Sequence, residues 1–124
     1  MHAAQEFVAL LFLSRDLAHK AHLAAKGQGS FAKHMALGEF YSGIIDLADA
    51  FTEQYQGEYE EILSIPPLYD DEDGDIRTVL NKHKKLILEH RYEVCERDET
   101  SLQNTIDEIV GLYQRVNYKL KFLE

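Results

Sequence analysis

Two histidines and a pair of carboxylates are the residues of this chain whose types and spacing point to chemistry. His22 and His34 stand six residues either side of Gln28, in the stretch around Gly27-Gln28-Gly29-Ser30. A helical hairpin turning there would bring both imidazoles to similar heights on adjacent helices, where they could bind iron or zinc. His19 lies close before His22 on the same helix. Asp49 and Glu53 form an i,i+4 pair on one helix face and can hold a cation between their carboxylates. Asp46 extends that acidic stripe. The bland alternatives are histidines that are merely solvated or capping, and carboxylates that form an exposed polar face.

One copy of the chain cannot offer both donor sets to one ion. His34 and Asp49 are fifteen residues apart, which on a single helix is about 22 Å at about 1.5 Å per residue. Two such helices packed antiparallel across a two-fold axis would set the histidine end of one copy against the carboxylate end of the other, creating two equivalent sites. The spacing therefore predicts a metal site at a dimer seam.

The elements that must position these residues are four helices. Phe7, Leu10, Leu11, Leu17, Ala18 and Ala21 recur at intervals of three and four and predict a first helix over about 3–26. Glycines then stop it, and Ser30 is suited to cap a second helix over about 31–56, carried by Phe31, Met35, Leu37, Phe40, Ile44, Ala48 and Phe51. Pro66-Pro67 and the acidic run from Asp70 make residues 57–75 a crossover. A third helix is predicted over about 76–97, and a fourth over about 100–123, opened by the capping-box spacing Thr100-Ser101-Leu102-Gln103. Short, long and short connections describe an all-α, ferritin-like four-helix bundle of two αα-hairpins joined by a crossover loop, a single domain over 1–124.

Composition narrows the function classes. The chain has 124 residues, 45% of them hydrophobic, with a net charge of −9, which suits one folded domain. Residues 35–75 carry twelve acids and no Lys or Arg, while the flanking segments are +2 and +1. No basic surface for phosphates is evident, so DNA binding is not expected. No apolar run approaches the roughly 20 residues of a membrane span. Cys95, the one cysteine, has no disulfide partner and reads as a buried thiol; with no secretory leader evident, the expected compartment is the cytoplasm.

Other motifs are discounted. No glutamate has a histidine three residues later, so the Glu-x-x-His di-iron centre is not encoded. Asp16-x-x-His19 occurs once only. The acidic loop has Tyr69 and Leu80 where an EF-hand needs ligands. His83 and His90 share a face of the third helix but stand about 10 Å apart along it, too far for one ion.

At the first hairpin the chain resembles the Dps-like miniferritins, ferritin-like cage proteins that bind and oxidise iron. The resemblance rests on His22 five residues before Gly27, His34 in the next helix, and Asp49 and Glu53 fifteen and nineteen residues beyond it. The last helix, with Tyr118-Lys119-Leu120 near its end, is similar to the family's final helix. In size the chain is also similar to ferritin-like proteins of phages. The resemblance implies His22, His34, Asp49 and Glu53 as metal ligands, with His19, Glu39 and Asp46 in their surroundings. It also implies a homo-oligomer, at least a two-fold dimer and up to a dodecamer. The chain departs from the pattern one turn after His34, where the family's usual aspartate is Gly38, with Glu39 rotated about 100° away. The basic N-terminal arm through which some members bind DNA has no counterpart here.

Two functions are therefore in play. One is an iron-binding and iron-storage protein that oxidises Fe²⁺ at an inter-subunit His/carboxylate site, a ferroxidase, with zinc or another divalent cation as the alternative metal. The other is a non-catalytic acidic helical bundle that recognises a partner and has lost or weakened metal binding.

Overall fold

The computed structural model describes residues 2–69 and 74–124, which form four helices: α1 (Ala3–Ala24), α2 (Ser30–Tyr59), α3 (Ile76–Val94) and α4 (Thr100–Phe122). Adjacent pairs are α1 with α2, α2 with α4, α4 with α3 and α3 with α1, which places α1 diagonal to α4 and α2 diagonal to α3. The chain is an all-α four-helix bundle of two hairpins. Part of the expected acidic crossover, residues 70–73, lies outside the described residues.

The core follows the three- and four-residue periods of the sequence. Leu11, Leu37, Phe40, Ile44, Phe51, Leu80, Ile106 and Ile109 are fully buried. Edge-on ring pairs fasten the helices together: Phe7 meets Phe51 at 4.8 Å, and Phe40 meets Tyr113 at 4.9 Å. Each such side chain contributes about 1.5–3 kcal/mol through burial. Phe31 and Met35, expected on the inward stripe, are instead exposed, because at about 100° per residue they stand on the far side of α2 from the buried stripe of Leu37, Ile44 and Phe51.

The crossover sets the direction of the second hairpin. Glu60, in the left-handed region at φ 52°, ends α2 three residues beyond Gly57, which the helix runs through. The following strap is pinned to α1 and α2: His2 Nε2 contacts Glu61 at 2.9 Å, Gln56 accepts from Leu63 N at 3.0 Å, and Gln5 accepts from Ser64 N at 2.9 Å. It returns the chain to the opposite end, where Ile76 starts α3 near Ala21 and Ala24. As a result α2 and α3 run parallel, and every adjacent pair is antiparallel.

Helix ends differ from the expected caps. Gly29, not Ser30, is the residue before α2, and no side chain caps it. Gln103, expected in a capping box, is buried and ties α4 to the end of α3 instead: its Nε2 donates to the Cys95 carbonyl at 2.9 Å, and its Oε1 accepts from Arg91 Nε at 2.8 Å. The tertiary contact satisfies a C-terminal carbonyl of α3 that would otherwise need water. Cys95 is buried as expected, and burial pushes its thiol up to about 11.

Candidate metal centre at the first hairpin

Two glycines make the turn that carries the site. Gly27 and Gly29 have φ of 90° and 79°, a region that L-side chains rarely adopt. The turn brings the last turn of α1 beside the second turn of α2, and the two imidazoles stack: the rings of His22 and His34 lie 3.6 Å apart at 21°.

Each ring is held by the backbone of the other residue. His22 Nδ1 donates to the carbonyl of His34 at 2.6 Å, and His34 Nδ1 donates to the carbonyl of His22 at 3.0 Å. A carbonyl oxygen can only accept, so both Nδ1 atoms carry protons. In the neutral rings the lone pair is therefore on Nε2, which has no hydrogen-bond partner among the described residues. A ring N–H given to a carbonyl is the arrangement that orients a metal-ligating histidine and raises its basicity.

The surroundings of the pair are aromatic. His19 stacks on Tyr41 at 4.3 Å and 20°, and its ring lies 6.2 Å from that of His22. Tyr41 also meets His22 edge-on at 5.2 Å. Gly38 lets the α2 backbone approach: a Cβ there would come 3.1 Å from His22 Cε1 and 3.3 Å from Nδ1. The ring of His22 thus occupies the space beside the position where the family resemblance calls for an aspartate.

The carboxylates do not join this cluster within one protomer. Asp46, Asp49 and Glu53 are exposed along α2, and their carboxylates make no hydrogen bond or ion pair among the described residues. Glu39, expected near the histidines, turns to α4 and pairs with Lys119. Its rotation around the helix, away from Gly38, accounts for this. Among the described residues, no three His, Cys, Asp or Glu side chains close on a common point that could hold an ion. No described helix is long and apolar enough to cross a membrane.

Sequence reasoning passed over a second polar cluster, deep in the bundle. Tyr113 OH donates to Ser14 Oγ at 2.6 Å, and Ser14 Oγ lies 2.7 Å from His83 Nδ1, with all three side chains buried. The signal was there: Ser14 continues the apolar stripe of Phe7, Leu11 and Ala18, and His83 sits between Leu80 and Ile87 on theirs. Burial pushes the Tyr113 hydroxyl pKa well above its ordinary value, partly opposed by the hydrogen bond to Ser14. His83 and His90, paired on one face by periodicity, have separate fates: His83 points into the core, while His90 is exposed and contacts Glu93 at 2.8 Å.

Comparison with known proteins places this hairpin and most of the bundle in one family. Residues 22–120 match a family of unknown function, DUF5856. The chain is also 31% identical over 117 residues to the "Uncharacterized 14.6 kDa protein in mobD-ri intergenic region" of Enterobacteria phage T4, covering 94% of this chain and 87% of the relative. No solved structure matches. With its match running from His22, near the end of α1, through α2 and α3 to Leu120 in α4, the chain belongs to the DUF5856 family.

Proposed function

We propose that this protein is a Dps-like iron-binding protein, in which His22 and His34 of one copy face Asp49 and Glu53 of a second copy across a two-fold axis. The observation that carries this reading is the reciprocal pair of Nδ1-to-carbonyl bonds, which fixes both tautomers and leaves a lone pair on each Nε2 to offer a metal ion. The antiparallel hairpins with a single long crossover are in keeping with a ferritin-like topology. Imidazole and carboxylate together suit Fe²⁺, taken here as substrate. Asp49 and Glu53 would each offer two carboxylate oxygens to the iron. In the oxidation, two Fe²⁺ each lose one electron, and a peroxide accepts both electrons and two protons to leave as water. The acidic surface then offers sites at which ferric mineral accumulates.

Complementation tests the reading. His34→Ala and Glu53→Gln should each abolish rapid ferrous oxidation, since each removes a ligand from both equivalent sites. Co-assembling the two variants should restore a measurable fraction, because one site in each mixed pair receives intact histidines from one copy and intact carboxylates from the other. A monomer that neither oxidises iron nor recovers on mixing would sink the proposal.

Gly38 favours a second reading. The close packing of His22 on Gly38 leaves no room for the aspartate without moving the ring. On this reading the stacked histidines pin the hairpin, and the protein is an acidic, non-catalytic bundle that binds a basic partner. Zinc or iron binding too weak to measure, together with unchanged assembly in Glu53→Gln, would support it.

A further inference from the structure

At the end of the bundle away from the histidines, α1 and α3 part around a cavity of about 380 Å³. Leu10, on its wall, is twelve residues from His22, about 18 Å along α1, so the cavity is separate from the candidate metal centre. Its lining is mostly apolar, with Phe7, Leu10 and Ile87 from the helices and Leu68 from the crossover. The polar groups on its lining are Glu6 from α1 and His90 and Glu93 from α3, with no lysine or arginine among them. His90 is already bonded to Glu93, whereas the Glu6 carboxylate makes no hydrogen bond or ion pair among the described residues.

We propose that this cavity binds a small apolar molecule bearing a cationic amine. Its volume falls in the range of about 300–1,000 Å³ typical of small-molecule sites, which are mostly apolar with a few polar groups that fix orientation. Two of the three polar groups here are carboxylates, contributed by two different helices, and the third, His90, is tied to one of them, so they select a positive headgroup over a neutral or negative one. The site is too short for a docked helix: its α3 wall runs from Leu86 to Val94, about 12 Å.

Titration calorimetry of the intact protein with n-hexylammonium, 1-hexanol and hexanoate tests the proposal. The ammonium should bind at least tenfold more tightly than the alcohol, and the carboxylate should not bind measurably. The double variant Glu6→Gln/Glu93→Gln should erase the tenfold preference while keeping binding of the alcohol. Leu10→Phe should narrow the cavity and weaken binding of both, with the helical content and thermal melt of each variant confirming an intact bundle. Equal affinity for the three probes, a preference that survives the double variant, or no binding of hexylammonium by the folded protein would overturn it. So would capture of a basic amphipathic peptide where hexylammonium does not bind.

Discussion

Gly38 lies directly beneath the imidazole of His22: a Cβ added there would sit 3.1 Å from Cε1 and 3.3 Å from Nδ1. The ring cannot easily retreat, because it is stacked on His34 and bonded to that residue's carbonyl. Gly38→Ala is therefore expected to change stability little, the helix-propensity gain of about 1 kcal/mol being offset by crowding of similar size. On the proposed metal-binding reading, affinity for Fe²⁺ or Zn²⁺ should fall by about 10–100-fold, the usual cost of disturbing a group that orients a ligand. Chemical denaturation and titration with Fe²⁺ or Zn²⁺ measure the two effects separately.

The hairpin turn makes a prediction of its own. Gly27 and Gly29 both have positive φ, and nothing lies within 4 Å of a Cβ at either position. Alanine at either would thus be strained by conformation alone, costing about 1–2 kcal/mol. Denaturant midpoints that matched the parent's would argue against the left-handed turn.

The buried contact between Tyr113 and Ser14 predicts an asymmetry. Tyr113→Phe removes the donor together with its need for a partner, and should cost about 1 kcal/mol. Ser14→Ala leaves the Tyr113 hydroxyl buried without this acceptor, and should cost about 2–3 kcal/mol. Urea unfolding of the two variants should rank them in that order.

Cys95 links stability to alkaline pH. Burial is the largest cause raising its thiol from 9.0 to about 11, with Glu99 adding to the shift and Arg91 opposing it. An acid whose folded-state pKa is raised holds its proton in the native state after the unfolded chain has lost it. Its effect on stability is therefore constant below about pH 9, turns destabilising as pH rises from about 9 to about 11, and levels off beyond. Tyr113, also raised by burial, adds to the loss from about pH 10 upward. Replacing Cys95 with alanine should flatten the first part of the decline in pH-dependent unfolding. A thiol reagent at pH 8 should label Cys95 at a rate set by opening of the fold, not by the reagent.

Much of this molecule was written in periodicity and punctuation. Apolar residues at three- and four-residue intervals, glycines at 27 and 29 and the proline pair at 66 and 67 determined four helices, two hairpins and a crossover, because helix geometry and backbone sterics act locally. The equal spacing of His22 and His34 about Gln28 likewise determined that the two rings would meet. Other features depended on how the helices pack. Apolar character alone cannot tell that Phe31 and Met35 face away from the core; at about 100° per residue they stand on the far side of α2 from Ile44. Nor can periodicity tell that Gln103 would serve the carbonyls of α3 rather than cap its own helix, or that Glu39 would turn to Lys119. Only the packed bundle decided that each imidazole gives its Nδ1 proton to the other's backbone, that Gly38 makes room for His22, and that Ser14, His83 and Tyr113 meet in the core. Those contacts join residues distant in sequence, and their geometry exists only once the helices have fixed one another's rotation and height.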